Sequence, residues 1–96
     1  MKEIKAYALD LSTDELYEYI KNPVEEKILS DLMNRPEVQV GLYGINPDPQ
    51  FPVQHLLYDT PEHREAAHRV LSKHLKTVAF NLQPAYIPEE YARLRH

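Results

Sequence analysis

Hydrophobic and polar positions alternate along residues 3–11, "EIKAYALDL". Tyr7, Leu9 and Leu11 point one way and Ile4, Ala6, Ala8 and Asp10 the other. Both sides are apolar enough to be used, which predicts a central strand. "STDEL" then predicts a helix start: Ser12 or Thr13 can cap free backbone N–H groups, and Glu15 stands three after Ser12 as in a capping box. The stripe of Leu16 and Ile20 runs into Asn22-Pro23, and Val24, Ile28, Leu29 and Leu32 continue it on one arc. Proline disfavours a helical residue before it but suits a first helical position. Residues 13–34 therefore predict a helix kinked at Pro23, or two short ones.

After Arg35-Pro36, "VQVGLYGI" at 38–45 predicts a strand, with Val38, Val40 and Leu42 on one face and Gln39, Tyr43 and Ile45 on the other. "NPDPQFP" is a turn-rich connection, and "VQHLLYD" at 53–59 predicts the next strand. Asp59-Thr60-Pro61-Glu62 opens a helix running to about Leu75, and "TVAFNLQ" at 77–83 alternates as a last strand. The chain is thus divided into a single α+β domain, residues 1–83, and a C-terminal arm, residues 84–96, marked by Pro84 and Pro88. The order strand, helix, strand, strand, helix, strand predicts a ferredoxin-like β-α-β-β-α-β sandwich: a four-stranded antiparallel sheet with both helices on one face. That architecture hosts many unrelated functions and assigns none.

One sheet face must then meet water, the arm or a partner. The predicted register places Tyr43, Ile45, Leu56 and Tyr58 on it, a contiguous patch of the kind that marks an interface. A one-residue shift of the third strand would instead expose Val53, His55 and Leu57. Tyr86, Ile87, Tyr91 and Leu94 are apolar residues in a charged, proline-marked arm, and the last three share one side of a short helix. These eight residues are the expected interface, to a protein partner or, in a homodimer, to a second copy.

Composition narrows the chemistry. The chain has 96 residues and no cysteine, which excludes disulfides and thiolate sites. Its start is not an uninterrupted apolar run, and no stretch approaches the roughly 18 apolar residues of a membrane span, so a cytoplasmic, membrane-free protein is expected. The formal net charge of -4 divides unevenly: residues 1–37 hold five bases and nine acids, 38–60 two acids and no base, and 61–96 six bases and four acids. Two ends of opposite sign can meet within one fold or between two chains. Seven tyrosines invite stacking on nucleic acid, but the middle of the chain has no Lys or Arg, and Tyr17, Tyr19, Tyr86 and Tyr91 lie outside the predicted strands. Nucleic-acid binding is therefore not expected.

"HREAAHRVLSKH" places His63, His68 and His74 on one predicted helix. Shared chelation wants a spacing of three or four, and none of these pairs has it. His68 lies about 140° around the helix from His63, and His74 roughly 16 Å along it. No metal and no cofactor are expected.

Asp10 is the one candidate for catalysis. An acid at the end of a central strand can bind a divalent cation; equally, it can cap the first helix or pair with a base. "YALDL" around Asp10 resembles the start of VapD-type toxins and of the related small CRISPR-associated endoribonucleases, and "VQVGLYG" resembles their second strand. Together these stretches cover about twelve of the 96 residues. The resemblance implies a ferredoxin-like subunit in which the Asp ending the first strand serves metal-dependent cleavage at a dimer interface. Two functions from different classes follow: a non-catalytic interaction or regulatory module, or a small metal-dependent nuclease using Asp10.

Overall fold

The computed structural model describes residues 2–95, with side chains described as far as Ala92. The alternating first segment forms β1 (Glu3–Ser12), and side-chain caps begin the elements that follow. Ser12 Oγ accepts from the Glu15 N–H at 3.3 Å and starts α1 (Thr13–Ile20). Asn22 Oδ1 accepts from the Glu25 N–H at 2.9 Å, and Pro23 takes the first position of α2 (Pro23–Met33). The chain thus breaks and restarts at Asn22-Pro23, giving two capped helices instead of one kinked helix.

The predicted strand over 38–45 begins later. Pro36 opens a single turn of helix, α3 (Pro36–Gln39), and Gly41 turns the chain at φ 76° before β2 (Leu42–Pro47). A side chain at Gly41 would collide with Asp59 and His63 as well as strain the backbone. Val38 is consequently a buried helix residue, and the buried Tyr58 hydroxyl donates to its carbonyl at 2.6 Å. Then come β3 (Val53–Tyr58), α4 (Pro61–Leu71), started by Thr60 Oγ1 accepting from the His63 N–H at 3.1 Å, β4 (Ala79–Pro88) and α5 (Glu89–Arg95). The strand expected to stop at Gln83 runs on to Pro88.

The fold is α+β, with one open four-stranded sheet in the order β2-β3-β1-β4 and every neighbouring pair antiparallel. Leu9 and Leu11 of β1 join Leu56, Tyr58, Ala67 and Leu71 in the main core, beneath α1 to α4. On the opposite face Ala6, Ala8, Tyr43, Leu57 and Ile87 form a smaller core with Ala92 of α5. Both faces of the sheet are therefore partly covered, each by different helices.

Register decides which side chains reach each face. Leu9 pairs with Leu56 and Tyr7 with Tyr58, so Leu56 and Tyr58 lie on the helix side and are fully buried there. The sequence placed them on the open face; the one-residue alternative, with His55 and Leu57 there, is the observed one. In β2 the register slips between Leu42 and Gly44, leaving Tyr43 as an extra residue. Beyond that bulge Ile45 pairs with Leu56 and so shares the helix side, again opposite to the expected face.

Candidate functional site

Of the expected open-face residues only Tyr43 remains on that face, and it is buried beneath α5 with Ile87 and Ala92. Desolvation, then the Asp59 charge, raises its hydroxyl pKa above the usual value near 10. Tyr91 packs on the same cluster, its hydroxyl so close to Gly44 that a side chain there would displace it. Tyr86 pairs with Lys5 and is exposed, as is Ile45. The Leu94 side chain lies outside the described residues. The eight residues thus do not form one surface: Leu56 and Tyr58 belong to the main core, while Tyr43, Ile87 and Tyr91 bind α5 to the sheet.

The uncovered half of that face carries the polar cluster built on Asp10. Asp10 pairs across the sheet with His55, and His55 Nδ1 lies 2.6 Å from Asp10 Oδ1. His55 Nε2 lies 2.8 Å from Asp48 Oδ2, so both ring nitrogens are engaged. Asp48 organises its own loop as well, its Oδ1 accepting from the N–H groups of Gln50 (2.7 Å) and Phe51 (3.0 Å). Burial works against the charged imidazole, but hydrogen bonds to Asp10 and Asp48, reinforced by their charges, outweigh it and raise the His55 pKa above 6.5. The backbone N–H of Gln50 first, and the His55 ring next, hold the Asp48 carboxyl below its usual range.

The His55 ring, bracketed by two carboxylates, ties β1, β3 and the 48–51 loop together. Both of its nitrogens are already engaged by protein groups. Among the described residues no group of three or more His, Asp or Glu side chains is arranged to hold a metal ion. Of the three histidines expected on one helix, His74 lies beyond it, since α4 ends at Leu71 and not near Leu75, and the three serve separate contacts. His63 Nδ1 meets Asp59 Oδ1 at 2.6 Å, and His68 stacks on Phe80 with centroids 4.4 Å apart. The His74 carbonyl accepts from the Tyr19 hydroxyl at 2.9 Å. The sequence singles out Asp10, with capping and pairing both open, but identifies neither its partner His55 nor Asp48, seven residues from His55 across the β2–β3 loop.

A groove of about 630 Å³ lies between α1, α2 and residues 74–77. Its central acid, Glu15, is used structurally: it accepts from the Lys76 N–H at 2.6 Å, the Thr77 N–H at 3.0 Å and the Thr77 hydroxyl. Burial opposes that charge, and these donors outweigh it to lower the Glu15 pKa.

The remaining feature is the β4 edge. β4 pairs with β1 on one side and with no other strand on its far side among the described residues. Residues 77–88 contain no charged side chain. Along this strand Leu82 is 84% exposed, Tyr86 58% and Phe80 40%. No described helix is long and apolar enough to cross a membrane. No family model matches the chain, and no curated protein or solved structure does.

Proposed function

We propose that the protein is a small non-catalytic interaction module that acts by protein–protein contact and associates as a homodimer, edge to edge through β4. One observation carries this reading: a ten-residue edge strand with no charge and with Leu82 84% exposed. An unpaired edge offers a row of N–H and C=O groups to another strand, and solitary chains usually blunt it with charges. Pro84, Pro88 and the irregularity that sets Leu82, Gln83 and Pro84 opposite Tyr7 interrupt it, which leaves residues 79–81 as regular edge. Antiparallel pairing of β4 with a second β4 is self-complementary about a two-fold axis and continues the sheet across both copies. The sheet itself we read as ferredoxin-like: from the β4 edge its order is β4-β1-β3-β2, the order that two β-α-β crossovers around a central hairpin produce. A cytoplasmic setting belongs to the same reading, since a chain without cysteine gains nothing from an oxidising one.

Against the nuclease reading, the carboxylate that would bind a cation is held by His55 at 2.6 Å. We expect light scattering to give twice the 11.3 kDa chain mass for the wild type. Leu82→Lys should give a folded monomer, because the pairing would place an ammonium group against apolar side chains of the other copy. RNA incubated with the protein and Mg²⁺ should remain intact. A wild-type monomer at all concentrations, or a Leu82→Lys dimer, overturns the edge pairing; cleavage abolished by Asp10→Asn overturns the non-catalytic reading.

A further inference from the structure

A second bulge opens a recess on the helix side of the same strand. Ala8 pairs with Asn81 and Ala6 with Ala85, so Leu82, Gln83 and Pro84 together stand opposite Tyr7 alone. Extra residues in one strand leave the ladder and bend it. The cavity that results, about 200 Å³, is lined by Lys5, Tyr7 and Arg64 beside the bulge residues.

Arg64 enters from α4. Its guanidinium carbon lies 5.8 Å from the Tyr7 ring centre and 4.9 Å from that of Phe80, and Nη1 donates to the Asn81 carbonyl at 3.3 Å. Lys5 Nζ stands 5.3 Å from the centre of the same Tyr7 ring. Two cations thus share one ring. Among the described residues neither forms an ion pair with a carboxylate, whereas Lys21, Lys27, Arg35 and Arg69 each do. Arg64 Nε is also buried without a hydrogen-bond partner. Both cations line the same recess, and an anion seated there would bring acceptors to a guanidinium whose Nε has none.

The charge selects the anion. A carboxylate would leave one of the two cations unneutralised, whereas a phosphate dianion matches both. The planar guanidinium and the compact ammonium also suit phosphate oxygens. We propose that this recess binds a phosphate group, held between Lys5 Nζ and the Arg64 guanidinium with the Tyr7 ring as its floor.

Amide chemical-shift titrations of the whole chain at constant ionic strength test it, with inorganic phosphate, adenosine monophosphate and acetate as probes. Saturable shifts at Tyr7, Arg64 and Gln83 are expected with phosphate, and binding at least about tenfold weaker with acetate. Tighter binding of the nucleotide than of phosphate identifies a phosphomonoester as the source; equal binding identifies free phosphate. Lys5→Gln, at an exposed position that leaves the core untouched, should weaken phosphate binding about tenfold, and Arg64→Gln at least as much. The absence of saturable binding to either phosphate probe overturns the proposal. So does acetate binding equal to phosphate, or a Lys5→Gln titration that matches the wild type.

Discussion

At His55 a single imidazole joins three parts of the chain, and its protonation sets how well it does so. The folded pKa is raised above the 6.5 of a free histidine. Its stabilising contribution is therefore complete below about pH 6.5 and is lost as pH rises through the folded value. Asp48 carries the opposite sign: its lowered pKa stabilises above about 3.8 and fades as pH falls through the folded value. Denaturant titrations should show wild-type stability falling as pH climbs above about 6.5, while His55→Gln, which cannot be charged, stays flatter. Parallel curves would remove the cluster from the pH dependence. Asp10 was legible in the sequence because strand alternation isolates it among alanines. Asp48 was not, because its partner is fixed by how a loop folds back over the sheet.

Among the elements, what could be read in advance is what is decided within three or four residues. Ser12, Asn22 and Thr60 each accept from the N–H three residues on, as their positions before a helix predict. The bulges at Tyr43 and at residues 82–84 are different, because they exist only relative to a partner strand. The bulge at Tyr43 turns a correct alternation into a wrong face farther along, which is why Ile45 was misplaced. Leu56 and Tyr58 were misplaced for a related reason: "HLLY" is apolar at consecutive positions, and only Leu9 and Tyr7 opposite them choose the side. The break at Asn22-Pro23 gives a direct check of the local rule. Asn22→Ala should cost about 1 kcal/mol in chemical denaturation, and Asn22→Asp, which keeps the accepting oxygen, within about 0.5 kcal/mol of nothing. Pro23→Ala should be tolerated at no more than about 1 kcal/mol, since the proline fills a position without an intrahelical partner. A greater loss for Pro23→Ala than for Asn22→Ala would mean that proline, not the cap, holds the break.

For the whole molecule, the opposite signs of the two ends offer a rival to β4 as the source of association. Residues 1–37 hold five bases and nine acids, and residues 61–96 six bases and four acids. The ion pairs of Lys21 with Glu18, Lys27 with Asp31, Arg35 with Glu37 and Arg69 with Glu65 are all local. Where the acidic and basic ends do meet, Glu15 takes backbone N–H groups and a hydroxyl at residues 76–77 instead of an ammonium. Charge pairing between copies would be screened by salt, the Debye length falling from roughly 14 Å at 0.05 M to about 4 Å at 0.5 M. Pairing through β4 involves no ionic group, because residues 77–88 carry none, and burying Phe80 and Leu82 side chains is insensitive to screening. Sedimentation of the wild type at these two salt concentrations should therefore give the same dimer fraction. A dimer that dissociates at the higher salt would assign association to the charged ends and remove β4 from it.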